Sequence, residues 1–141
     1  MTKSALGPHG LNKMVINHLD KLFVTSDAAT IIKESDVHHP AANMVKMAAK
    51  MQENECGDGT NFVLTFAGEL MFQAQQLLQM GLHPSEILIG YEKAAKLCYT
   101  EMDNQVCYEI KDIHDNDEVK RCIKSCIASK QFGLDETLSD R

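Results

Sequence analysis

The stretch Glu55-Cys56-Gly57-Asp58-Gly59-Thr60-Asn61-Phe62 has the residue types of a turn that binds an anion or a metal. Two glycines bracket a carboxylate, and a hydroxyl residue follows just before a long apolar-periodic run. Such a turn feeds a helix N-terminus, whose unsatisfied N–H groups and positive dipole end suit phosphate. Asp58 would repel phosphate directly. It makes sense there if a cation intervenes, because Mg²⁺ takes one or two carboxylates together with phosphate oxygens. The same side chain could instead be an N-cap that accepts a backbone N–H. On this motif alone the cap is the commoner explanation, because Gly-Asp-Gly-Thr is short and caps are frequent.

Two further turns share its character. Leu6-Gly7-Pro8-His9-Gly10 packs glycine and proline densely enough to force a defined loop, and its glycines let a ligand approach the backbone. Thr25-Ser26-Asp27 leads into an apolar helical pattern, with Asp27 either an N-cap or a ligand-facing carboxylate at a strand-to-helix junction. Together the three turns could form a nucleotide site, with glycine backbone around phosphates, Asp58 on Mg²⁺ and Asp27 orienting an attacking water. Phosphoryl transfer depends mainly on positioning and charge neutralisation, so this inventory suffices in kind. No Gly-x-x-x-x-Gly-Lys-Ser/Thr is present, which excludes the common P-loop, and no Gly-x-Gly-x-x-Gly follows a strand.

The elements that must position these turns are mostly helical. Met14-Val15-Ile16 and Leu22-Phe23-Val24-Thr25 predict a hairpin, with residues 17–21 as its loop and an edge open to a neighbouring chain. A short helix follows over 28–34. Pro40 at a first helical position then opens a helix whose packed face is expected at Met44, Met47, Ala48 and Met51. His38 and His39 before it suit capping or the surface better than metal binding. A long helix is predicted from about Thr60 to Met80, with Phe62, Phe66, Leu70, Leu77 and Leu78 as its apolar stripe and Gly81 ending it. Ala67 and Gly68 would let another helix approach closely. His83-Pro84-Ser85-Glu86 reads as a capping box before a helix burying Ile87, Leu88, Tyr91, Ala94, Ala95 and Cys98. After a polar stretch, a last helix begins near Asp115, with Val119, Cys122, Ile123, Cys126 and Ile127 on one face.

Composition narrows the function classes. The 141 residues are 44% hydrophobic with 8 Met, suited to helix packing, and the net charge of −6 argues against broad affinity for nucleic acid or an anionic membrane. No apolar run approaches the roughly 20 residues that span a bilayer. Cysteine is present at an odd number, 5, without a paired framework, which implies thiols in a reducing compartment. Cys122 and Cys126 share a helix face and are expected as buried thiols, since no further Cys or His set completes a zinc site.

The order Leu6-Gly7-Pro8-x-Gly10, Thr25-Ser26-Asp27-Ala28-Ala29-Thr30-Ile31, His39-Pro40-Ala41-Ala42 and Gly57-Asp58-Gly59-Thr60 resembles the group II cytosolic chaperonins, the family that builds the TCP-1 ring complex. Asn12-Lys13-Met14-Val15-Ile16-Asn17-His18, Gly59-Thr60-Asn61-Phe62 and Ser129-Lys130-Gln131-Phe132-Gly133 resemble one subunit type within it. The resemblance runs through nearly the whole chain. It implies a mainly α fold, the helical core of a chaperonin equatorial domain with one β-hairpin, present here as a partial domain. Residues 1–106 would be the first equatorial, ATP-binding segment without its N-terminal helix, and residues 107–141 the start of the intermediate domain. The apical and second equatorial segments would lie outside this sequence, and so would the family's second catalytic aspartate.

By the same resemblance, Leu6 and Gly7 would meet nucleotide phosphates through the backbone, with Pro8 shaping the loop. Asp58 would hold Mg²⁺, and Gly59, Thr60, Asn61 and Phe62 would line the phosphate and ribose side. Asp27 would be the catalytic carboxylate near the attacking water, while Ser129 and Lys130 would approach the ATP or ADP from the intermediate domain. Ala28 stands where most relatives carry Gly, Ser26 where many carry Asn, and Asn61-Phe62 where a Thr-rich run is usual. The implied function is an ATP-dependent folding chaperonin subunit in the cytoplasm, with other ring subunits and unfolded proteins as partners and neither nucleic acid nor membrane. The chain alone is expected to bind nucleotide weakly with little or no turnover. The rival from another class is a short interaction module that docks with ring subunits or clients without hydrolysing ATP.

Overall fold

A computed structural model describes residues 2–7, 9–35 and 37–128. After a 3-10 turn, Lys3–Ala5, strands β1 (Lys13–Ile16) and β2 (Leu22–Thr25) form an antiparallel hairpin in which Val15 faces Phe23. Among the described residues five helices follow: α1 (Ala28–Glu34), α2 (Pro40–Cys56), α3 (Thr60–Gln79), α4 (Pro84–Glu101) and α5 (Asn116–Ala128). The fold is thus mainly α with one hairpin, as expected. No helix among the described residues is long and apolar enough to cross a membrane.

The described residues divide into two compact units, 2–69 with 124–128, and Leu70–Ile123. In the first, Asn17 organises the hairpin loop. Its side-chain oxygen accepts from the N–H groups of Leu19 and Lys21, each at 3.0 Å, and its amide donates to Glu34 at the end of α1. Asp20 supplies the left-handed residue of that loop at φ 56°. His39 caps α2, its Nδ1 accepting from the Ala41 N–H, so it serves as a cap.

The core of this unit is small. Ala28, Ala49 and Leu64 pack together with Ile32 and Val45 against them. The methionine face expected to be packed on α2 is therefore the wrong one: Met44, Met47 and Met51 are exposed. Helix α2 instead turns Val45 and Ala49 inward, one helical turn apart, because α1 and α3 converge on the small Ala49 side chain. On α3 the inward residues are Thr60 and Leu64, not the predicted phenylalanines. Phe62 and Phe66 stack on each other at the surface, centroids 5.8 Å apart and planes 6° from parallel. A Cβ at Gly68 would face open space, so no close helix approach occurs there.

In the second unit, α3 ends at Gly81, φ 95°, where the Leu82 N–H reaches back to the Leu77 carbonyl and the Gly81 N–H to Leu78. The capping box at His83 and Glu86 forms as expected. Of the face predicted on α4, Ile87 is buried and Tyr91 half-buried with its hydroxyl donating to the Leu70 carbonyl, while Leu88 and Cys98 are exposed. The Cys122–Cys126 pair also departs from expectation, with Cys122 half-buried and Cys126 exposed, though all five cysteines are thiols. The apolar periodicity of α2, α3 and α4 marks more surface than these units enclose.

Candidate functional site

The three turns singled out in the sequence line one cavity of about 300 Å³. Ala5, Leu6 and Gly7 form one wall, residues 25–28 a second, and residues 58–62 a third. Asp27, Asp58, Gly59, Thr60, Asn61 and Phe62 are therefore brought together with Leu6 and Gly7. Pro8, Ser129 and Lys130 lie outside the described residues.

The core explains the convergence. Ala28 follows Asp27 directly, Leu64 is one helical turn after Thr60, and Ala49 lies about two turns before the end of α2 that leads into Gly57. Packing these three side chains together pins the segments entering the cavity. Ala28 is fully buried, so the methyl group that distinguishes it from glycine fills core space.

The first wall depends on Gly10. Its N–H donates to the Gly7 carbonyl at 3.0 Å, and a Cβ there would lie 2.4 Å from the Ala5 carbonyl oxygen. No side chain fits against that backbone. Gly7 itself has φ 83°.

Asp27 caps α1. One carboxylate oxygen accepts from the Thr30 N–H at 2.9 Å and the Thr30 hydroxyl at 2.6 Å, and the other accepts from the Thr60 hydroxyl at 3.2 Å. Its own N–H donates to the Thr25 hydroxyl oxygen. Burial pushes the Asp27 carboxyl up, but the hydrogen bonds from Thr30, Thr60 and the Ala29 backbone outweigh it and hold the group below its ordinary 3.8. The cap reading is correct, and the carboxylate also lines the cavity.

Gly57 closes α2 in the left-handed conformation, φ 70°, and Gly59 repeats that geometry at φ 81°. Asp58 between them is exposed, its carboxylate accepting from the Gly59 N–H at 2.7 Å. Gln52 on α2 donates to the Asp58 carbonyl at 2.9 Å. The first intrahelical bond of α3 runs from the Val63 N–H to the Gly59 carbonyl, so the N–H groups of Thr60, Asn61 and Phe62 have no partner within the helix. Beside them, the buried side-chain nitrogen of Asn61 has no hydrogen-bond acceptor.

This chemistry fits an anion accompanied by a hard cation. A donor without an acceptor, a helix N-terminus and close-approach glycine backbone offer N–H groups, and Asp58 offers an exposed carboxylate. No cluster of three or more His, Cys, Asp or Glu able to hold a metal by itself occurs among the described residues. One carboxylate plus ligand oxygens is a donor set that suits Mg²⁺. Gln52, Thr30 and Ala5 were not singled out in the sequence. Thr30 sits three residues after an N-cap Asp, a spacing that could have marked it; Gln52 and Ala5 carry no comparable signal.

Residues 1–140 match the TCP-1/cpn60 chaperonin family. The chain is 58% identical over 140 residues to T-complex protein 1 subunit theta of Dictyostelium discoideum, covering 99% of this chain and 26% of that protein. It is 54% identical over 132 residues to the theta subunit of Homo sapiens, covering 94% of this chain and 24% of that protein. With the theta subunit of Arabidopsis thaliana it shares 50% over 140 residues, 98% of this chain and 26% of that protein. The chain thus spans about a quarter of the length of the curated relatives it matches. These relatives agree with the subunit type indicated by residues 12–18, 59–62 and 129–133.

Proposed function

The chain belongs to the TCP-1/cpn60 chaperonin family, and from that premise we propose that it supplies one wall of a Mg²⁺–ATP site in a ring-forming cytosolic folding machine. The observation that carries this reading is the single cavity lined by residues 5–7, 25–28 and 58–62. We assign residues 1–106 to a first equatorial segment and residues 107–141 to the start of an intermediate domain.

In this reading Asp58 holds the cation. The backbone N–H groups of Gly7, Thr60, Asn61 and Phe62, with the Asn61 side-chain amide, bind phosphate oxygens, while Leu6 and Gly59 line the same space, their own N–H groups donating to the Lys3 carbonyl and the Asp58 carboxylate. Bound Mg²⁺ neutralises phosphate charge. Asp27 orients water by accepting a hydrogen bond. Its depressed pKa makes it a weak base at neutral pH, suited to aiming a water more than to taking its proton. Thr30 and Thr60 fix its direction. Other ring subunits and unfolded chains are the partners this role requires.

The chain alone binds nucleotide weakly and turns over little, because electrostatic stabilisation of phosphoryl transfer needs groups on every side of the reacting phosphate. Mg²⁺–ATP hydrolysis by the purified chain tests this. Multiple turnovers that vanish in Asp58→Ala would contradict the one-wall reading. A docking module without hydrolysis is the second reading, favoured by the exposed Phe62, Phe66, Met44, Met47 and Met51. Monomeric elution with no ring subunit co-purifying would count against it.

A further inference from the structure

Ala49, the last buried residue of α2, is 1% exposed. Three residues on, the half-buried Gln52 lies on the same side of the helix. It reaches the following turn, where its Nε2 donates to the Asp58 carbonyl oxygen at 2.9 Å. The N–H at the other end of that peptide unit, on Gly59, donates to the Asp58 carboxylate at 2.7 Å. A peptide unit is a rigid plane. With its oxygen held by Gln52 and its N–H held by the carboxylate, the orientation of the plane and the direction of the Asp58 side chain are set together. The same Gln52 nitrogen lies 3.1 Å from where a Gly59 Cβ would be, so it also closes the space above the turn.

We propose that Gln52 is a positioning residue for Asp58, anchored through α2 to the Ala28–Ala49–Leu64 core and aiming the carboxylate at the cation that accompanies bound nucleotide. This rests on the Mg²⁺–nucleotide reading above and deepens it. Gln52 acts from outside the cavity, whose lining does not include it. The chemistry required is an N–H donor of this reach. Glutamate would turn an acceptor toward an acceptor, and methionine would keep the length without the donor.

The test uses the 141-residue chain with ADP and Mg²⁺ as probes and backbone amide shifts as the readout. Gln52→Met and Gln52→Glu should raise the Mg²⁺ concentration for half-saturation at fixed ADP by about tenfold, the scale seen when a residue supporting a metal ligand is lost. ADP binding in EDTA and the melting midpoint should stay unchanged, and Gln52→Lys, which restores a donor, should recover most of the loss. A purely structural role would weaken binding by the same factor with and without Mg²⁺. That result overturns the proposal, as does an unchanged Mg²⁺ midpoint in Gln52→Met. If the parent chain shows no Mg²⁺-dependent ADP binding, the nucleotide reading falls and the role of Gln52 falls with it. Parent binding with indifferent variants removes Gln52 alone.

Discussion

The Thr60 hydroxyl donates to the Asp27 carboxylate at 3.2 Å across 33 residues of sequence. One bond joins the residue that opens α3 to the residue that caps α1, and both line the cavity. Thr60 is only 7% exposed, so its hydroxyl needs this partner. The bond also directs Asp27, whose other oxygen is occupied by Thr30.

Thr60→Val keeps the shape of the side chain and removes the hydroxyl, which should cost about 1 kcal/mol of stability. Thr60→Ser should lose less, because the donor remains. Urea unfolding midpoints of the three proteins check this, and equal midpoints for Val and Ser would show that the bond contributes nothing.

Stability should also carry an acid signature from Asp27. Its folded pKa lies below the ordinary 3.8, so its contribution is fully present above that value and is lost as pH falls through the folded pKa. Asp27→Asn removes this titration. The stability gap between wild type and variant should be constant near neutrality and close on acidification below about pH 4. Urea midpoints measured from pH 6 to pH 2.5 give the comparison, and a gap that widens in acid contradicts the assigned direction.

Gly10→Ala should disturb the site from a position that does not itself line the cavity. A Cβ 2.4 Å from the Ala5 carbonyl oxygen forces the backbone of the first wall to move. Mg²⁺–ADP binding should weaken about tenfold, or ~1.4 kcal/mol, while helix content by circular dichroism stays the same. Unchanged binding would place the wall outside the nucleotide site.

Much of this was readable in the sequence where local chemistry decides structure. Gly57 and Gly59 both adopt the left-handed conformation, Pro40 opens α2, and His83 with Glu86 caps α4, because caps and turns depend on residues a few positions apart. The packed faces were not readable in the same way. Periodicity favoured Met44, Met47 and Met51, but which face of α2 is buried depends on where α1 and α3 arrive, and they arrive at Ala49. Gln52 escaped notice for a related reason. Its partner is a backbone carbonyl six residues on, a relation that appears only once the turn has folded back on the helix. The cavity was legible as three turns of common character, and its closure depended on a core whose small residues carry little periodic signal.

The most direct measurement is an amide-resolved NMR titration of the 141-residue chain with ADP, with and without Mg²⁺, in wild type and Asp58→Ala. The account predicts shift changes at Leu6, Gly7, Asp27, Gly59, Thr60 and Asn61 that saturate at lower ADP when Mg²⁺ is present, an enhancement that is lost in Asp58→Ala. Changes that ignore Mg²⁺ and Asp58, or that appear instead in the groove lined by Lys33, Lys46 and Lys50, would contradict it.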